Sequence, residues 1–173
     1  MRRVAGGDNT ALAVLFDRHK SRLFAFLYHL VGDRAAAEDL VSETFLRVYR
    51  ARTCYRAGTA FTPWLLTIAR NLALGELRHR GVVHRARQRL AEDAASNGSE
   101  RAAERFEISE QVRAALARLP EEQRSALVLK EYQQLEYREI GQVLGCSEAA
   151  ARARTYRARI ALRELLRDWW EAE

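Results

Sequence analysis

The stretch Tyr137–Leu166, YREIGQVLGCSEAAARARTYRARIALRELL, decides the fold. Its opening residues place Ile140, Val143 and Leu144 at helical steps. Gly145 ends that run, Cys146 follows, and Ser147 can cap a second helix. Gly141 is small where two helices would cross closely. A short helix, a tight glycine turn and a longer helix make a helix-turn-helix signature. On the second helix Ala151, Thr155, Ala158, Leu162 and Leu165 form one stripe, at roughly 100° per residue. The opposite face carries Ala149, Arg152, Ala153, Tyr156 and Arg157, flanked by Arg154 and Arg159. A solvated helix balances its arginines with acids three or four residues away. Here only Glu148 and Glu164 are in reach, so the sequence favours an anion from outside the helix. The N-terminal end of such a helix is what enters a major groove of DNA. The alternative is a bundle helix with a solvated basic face.

The rest of the chain is helical in pattern. Leu119-Pro120 marks a helix start, with Glu121 and Glu122 in its first turn. Upstream, AEDAASNGSERAAERFE has small residues, a Ser-Asn-Gly-Ser break and repeated acids, and it reads as a linker. Further upstream, Leu12, Leu15, Phe16, His19, Leu23, Phe26, Leu27 and Leu30 recur at three- and four-residue steps. Gly32 ends that helix and Asp33 can cap the next, which carries Leu40, Val41, Thr44, Phe45 and Val48 on one face. A third helix turns Trp64, Leu65, Ile68, Leu72 and Leu77 inward. The expected architecture is all-α: a helical bundle at 7–80, a flexible acidic linker at 81–109, a helix-turn-helix domain at 110–167 and a tail at 168–173.

Composition narrows the partners. The chain has 173 residues, a net charge of +6 and only two prolines. A basic balance suits nucleic acid. Nearly all of the positive charge is arginine, whose fork matches phosphates and guanine edges. GC-rich coding would also raise Arg and Ala together. Cys54 and Cys146 are far apart, and no Cys/His cluster has metal spacing, so no disulfide framework, metal site or cofactor is indicated. His19, His29, His79 and His84 form no catalytic spacing, and His19 and His29 read as helix surface or edge. No phosphate-cradling glycine loop appears, so an enzyme is not the reading. The start lacks a signal-peptide apolar run, and no stretch is long enough to span a bilayer, which suggests a cytoplasmic protein.

Two blocks carry a resemblance. LPEEQRSALVLKEYQQLEYREIGQVLGCSEAAARARTYRARIALRELL resembles region 4 of the extracytoplasmic-function sigma factors, within the sigma-70 family. RAAAEDLVSETFLRVYRAR and FTPWLLTIARNLALGELRHR resemble region 2 of the same family. The resemblance implies a subunit that binds bacterial core RNA polymerase through the β′ clamp coiled coil and the β flap. It implies that region 4 reads a −35 element as duplex, and that region 2 melts a −10 element around a flipped base. An anti-sigma factor is a further implied partner.

Matched residue by residue, Asp39, Ser42 and Glu43 take the polymerase-binding positions, with Ser42 where the family often has Gln. Arg47, Tyr55, Arg56, the Arg56–Thr59 loop and Asn71 match the single-strand pocket. Tyr55 offers a stacking face, and Asn71 offers a donor and an acceptor together. Arg70, Arg78 and Arg80 are phosphate candidates. Gly75 stands where the family usually has Asp. The −35 set is Ala149, Arg152, Ala153, Arg154, Tyr156 and Arg157, with Ala149-Ala150-Ala151 replacing a usual Gly-Thr-Val. Glu92, Asp93, Glu100, Glu104 and Glu107 make the linker acidic, either as an RNA mimic in a channel or as a solvated tether. A sigma-like decoy that binds an anti-sigma protein would be expected to lose its arginines, and these are kept. An ordinary helix-turn-helix repressor leaves the AEDLVSETF block unexplained.

Overall fold

The first long helix begins at a carboxylate: Asp8 accepts a hydrogen bond from the Ala11 amide at 3.0 Å. That bond and the Arg3 guanidinium beside it hold the Asp8 carboxyl below its ordinary range. In this computed structural model the order is α1 (Arg2–Ala5), α2 (Asn9–Val31), α3 (Arg34–Arg50), a 3-10 turn η1 (Arg52–Cys54) and α4 (Phe61–Leu90). After these come α5 (Glu110–Arg118), α6 (Glu121–Glu131), α7 (Tyr137–Leu144) and α8 (Glu148–Trp170). The structure describes residues 1–56, 58–90 and 110–170, with the backbone alone at 2, 82–90 and 168–170. The linker acids from Glu92 to Glu107 lie outside the described residues, as do the Trp169 and Trp170 side chains. Among the described residues there is no strand, and no helix is long and apolar enough to cross a membrane.

Local chemistry sets the helix ends. Gly32 closes α2 at φ 71°, a conformation that glycine adopts without a Cβ clash, and its amide donates to the Tyr28 carbonyl. Asp33 then caps α3 through the Ala36 amide at 2.8 Å. The inward face of α3 is the one its pattern predicts: Leu40, Val41, Thr44, Phe45 and Val48 are all buried. In α4 the buried set is Leu65, Leu66, Ala69 and Ala73, while Trp64, Ile68, Leu72 and Leu77 sit half-buried at its edges. The stripe is rotated from the predicted one because α4 packs against three helices at once, α2, α3 and α7. The helix also runs past Arg80 to Leu90, through Gly81, where the sequence suggested that the linker begins.

The two helical blocks do not stand apart. One buried cluster joins Leu23, Phe26, Leu30, Phe45, Leu66 and Ala69 to Ala126, Leu129, Ile140 and Val143. Helix α6 packs on α2, and α7 packs on α4. A second, smaller cluster of Leu116, Leu119, Leu127 and Ala158 belongs to the C-terminal block alone. His29, read from sequence as surface or edge, is in fact 4% exposed. Its ring lies 4.1 Å from that of Tyr132, in the seam between α2 and α6. Neither ring nitrogen meets a protein donor or acceptor. Burial pushes its pKa down to about 4.

Candidate nucleic-acid interface

The α7–α8 turn is built as the sequence predicts. Gly145 sits at φ 65°, and its amide donates to the Gly141 carbonyl. Ser147 Oγ accepts from the Ala150 amide at 3.1 Å and caps α8. A Cβ on Gly141 would come within 2.7 Å of the Cys146 carbonyl oxygen. Only a glycine lets the two helices approach so closely. With α7 docked there, Ala151, Thr155 and Ala158 are fully buried. That orientation leaves Ala149, Arg152, Tyr156 and Arg157 exposed, with Ala153 half-buried, and Tyr156 is 64% exposed.

The arginines of α8 divide into held and free. Arg154 reaches Glu122 of α6 at 2.8 Å and is only 20% exposed. Arg159 reaches Glu131 of α6 at 2.5 Å, and this bond raises its pKa above the ordinary guanidinium value. Arg152 meets Glu148 at 3.4 Å and lies 4.9 Å from the Tyr137 ring centre. The acids that seemed missing are therefore present on a neighbouring helix, about 30 residues away in sequence. Among the described residues Arg157 has no such partner.

The N-terminal block holds the second group. Tyr55 follows η1, and its hydroxyl donates to the Thr59 carbonyl, while the Thr59 hydroxyl donates to the Arg56 carbonyl. These bonds tie the loop into a small closed turn, with Arg56 exposed on it. The Tyr55 ring sits edge-on to Trp64 at 5.0 Å and to Phe61 at 6.3 Å. Trp64, Asn71 and Arg78 are seven residues apart, so they drift only about 20° per step around α4 and share a face. Asn71 and Arg78 are exposed on it. The structure thus brings Tyr55, Trp64 and the Asn71 face of α4 together. Arg70, a phosphate candidate from sequence, points the other way and is buried against Glu121 and Ser125 of α6. Arg80 is taken up by Glu76 at 2.6 Å and by Asp33 at 3.6 Å.

Helix α3 presents a third surface. Asp39 and Ser42 are exposed and Glu43 is half-buried; Ser42 donates to the Glu38 carbonyl at 3.3 Å. Arg47 pairs with Glu43 at 3.0 Å, which joins it to this acidic face. Leu46 lies on the same side and is 51% exposed. The sequence reading passed over it. Its signal was an apolar residue out of phase with the Leu40-to-Val48 stripe.

Known proteins match both blocks. The family description Sigma-70 region 2 fits residues 15–83, and Sigma-70 region 4 fits residues 109–162. The chain belongs to the extracytoplasmic-function sigma factors of the sigma-70 family. It is 40% identical over 170 residues to the RNA polymerase sigma factor CarQ of Myxococcus xanthus, covering 96% of this chain and 95% of that one. It is 33% identical to the RNA polymerase sigma-H factor of Pseudomonas aeruginosa, covering 95% and 90%. Among solved structures, the sigma factor RpoE of Bartonella quintana, in complex with the anti-sigma factor NepR, superposes with a TM-score of 0.72 at 26% identity. That match covers 92% of this chain and 96% of that one. As a sigma factor, the chain acts in transcription initiation. The region 2 match runs from within α2 through α3 into α4, and the region 4 match runs from α5 into α8.

Proposed function

We propose that this sigma factor binds core RNA polymerase through Asp39, Ser42 and Glu43 on α3, with Leu46 adding apolar contact to the same face. Region 4 docks α8 into the major groove of a −35 element. Arg152 and Arg157 reach base edges or phosphates there, Tyr156 adds a flat contact, and Ala149 and Ala153 fit against thymine methyls. Arg154 acts as a brace, because Glu122 holds its guanidinium. Region 2 opens the −10 element, with Tyr55 stacking on an unpaired base, Asn71 reading its edge, and Arg56 and Arg78 holding phosphates. Arg47, paired with Glu43, supports the polymerase-facing side of α3. The observation that carries the reading is the exposed face of α8, left free by the Gly141–Gly145 docking with Arg157 unpaired. By analogy with the NepR complex of RpoE, an anti-sigma factor is a further partner.

The test is run-off transcription with purified bacterial core polymerase on a promoter library, with and without the protein. Specific transcripts sharing two upstream sequence elements are the expected result. Absence of both transcripts and polymerase binding would remove the proposal.

A further inference from the structure

Among the described residues, three cations from two other helices gather around Tyr137, the first residue of α7. Lys130, near the end of α6, places its Nζ 4.9 Å from the centre of the Tyr137 ring. The Arg152 guanidinium of α8 lies over the same ring, also at 4.9 Å. Arg159 of α8 is held first by Glu131 at 2.5 Å, and the Tyr137 hydroxyl adds a smaller share. Each cation also meets an acid, since Lys130 reaches Glu136 at 3.8 Å and Arg152 reaches Glu148 at 3.4 Å. Tyr137 is half-buried. Glu139 accepts from the Glu136 amide at 3.0 Å, which fixes the first turn of α7 and the backbone that carries the ring. The ring is thus the fixed part of this cluster.

Of the three cations, Arg152 is the one that the promoter reading places at DNA. Its side chain is 65% exposed, and its acid lies one helical turn away on the same exposed face. A pair of that kind contributes little and leaves a long side chain free to swing. An aromatic ring supplies what the acid does not. Its face attracts the cation and covers the flat side of the guanidinium. The N–H edge stays open, and that edge is what forks onto a base. A side chain already turned also loses less freedom on binding. Arg157, by contrast, has neither ring nor acid among the described residues.

We propose that Tyr137 is a positioning residue for the −35 readout, its ring holding the Arg152 guanidinium turned toward one base edge. The proposal rests on the −35 reading given above and deepens it. Tyr137 acts through Arg152 and not through a DNA contact of its own. Arg152 is therefore a directed reader, whereas Arg157 finds its contact only once DNA is present.

The test is run-off transcription by the full-length protein with core polymerase, on a library randomised through the upstream element. Base preference is read position by position from the transcripts. Arg152→Ala is expected to flatten the preference at the position that Arg152 reads. Tyr137→Leu is expected to weaken preference at that same position by about fivefold. It is expected to add nothing once Arg152→Ala is present, and to add fully to Arg157→Ala. Tyr137→Phe keeps the ring and is expected to keep the preference. Loss of preference at every position in Tyr137→Leu would overturn the proposal. So would a Tyr137→Phe variant that behaves like Tyr137→Leu, since the hydroxyl would then be the working group. A second measurement needs no promoter and stands even if Tyr137→Leu loses its far-UV helical signal. The Arg152 Nε–H resonance of the free protein is expected to be shifted upfield by the ring, in the unaltered chain and in Tyr137→Phe alike. An unshifted resonance would overturn the proposal. Absence of any base preference in the unaltered protein would count against the −35 reading, while the resonance still decides whether Tyr137 holds Arg152.

Discussion

Helices α3 and α8 begin alike and solve their charges differently. Each starts from a polar cap, Asp33 or Ser147, and runs into an alanine-rich turn. In α3 both arginine pairs are internal: Arg34 with Glu38 at 3.0 Å and Arg47 with Glu43 at 3.0 Å. In α8, among the described residues, only Arg152 has its acid on the same helix, while Arg154 and Arg159 rely on Glu122 and Glu131 of α6. The charge of a helix counted along its own sequence is therefore not the charge it presents. Two of the six arginines on α8, Arg154 and Arg159, are held by α6, and the part of its N-terminal half left for an anionic partner centres on Arg157 and the exposed rim of Arg152.

His29 is the limiting case, a titratable group whose ring nitrogens have no hydrogen-bond partner among the described residues. Its folded pKa of about 4 lies below the ordinary 6.5, so the unfolded chain binds the proton first. Stability from this group is present above pH 6.5 and is lost as pH falls toward 4, by on the order of 3 kcal/mol. Urea melts at steps across that window check it, and His29→Leu should flatten the dependence.

Gly141→Ala tests the turn that orients α8. The added Cβ would meet a backbone oxygen at 2.7 Å, and the expected loss is about 1–3 kcal/mol. Promoter-duplex binding should fall with it. Gly75, by contrast, has nothing within 4 Å of an added Cβ, so Gly75→Ala should stabilise region 2 by about 0.5–1 kcal/mol. Thermal melts of the two variants, moving in opposite directions, check both.

Arg157→Ala and Arg154→Ala separate the free guanidinium from the held one. Loss of Arg157 should weaken duplex binding about tenfold, reduce the salt slope by about one and leave stability within about 0.5 kcal/mol. Loss of Arg154 should appear first in the melting curve. Equal effects of the two on the salt slope would erase the distinction. The smallest change belongs to α3, where Arg47→Ala removes an exposed pair and should shift stability by only about 0.3–0.5 kcal/mol.

Much was legible in sequence because it is local. Helical periodicity, the glycine and serine of the α7–α8 turn, the Asp33 cap and the buried stripe of α3 all follow from residues within a turn or two of one another. The two sigma blocks were readable for the same reason. What required the tertiary structure were the partnerships across the chain. The burial of His29, the inward turn of Arg70 and the bonds of region 4 to Arg22 and Leu30 depend on residues 51 to 111 positions away, and the rotated stripe of α4 depends on three other helices. Spacing along a helix records which side chains share a face. It does not record which other helix, with its own acids and aromatics, that face will meet.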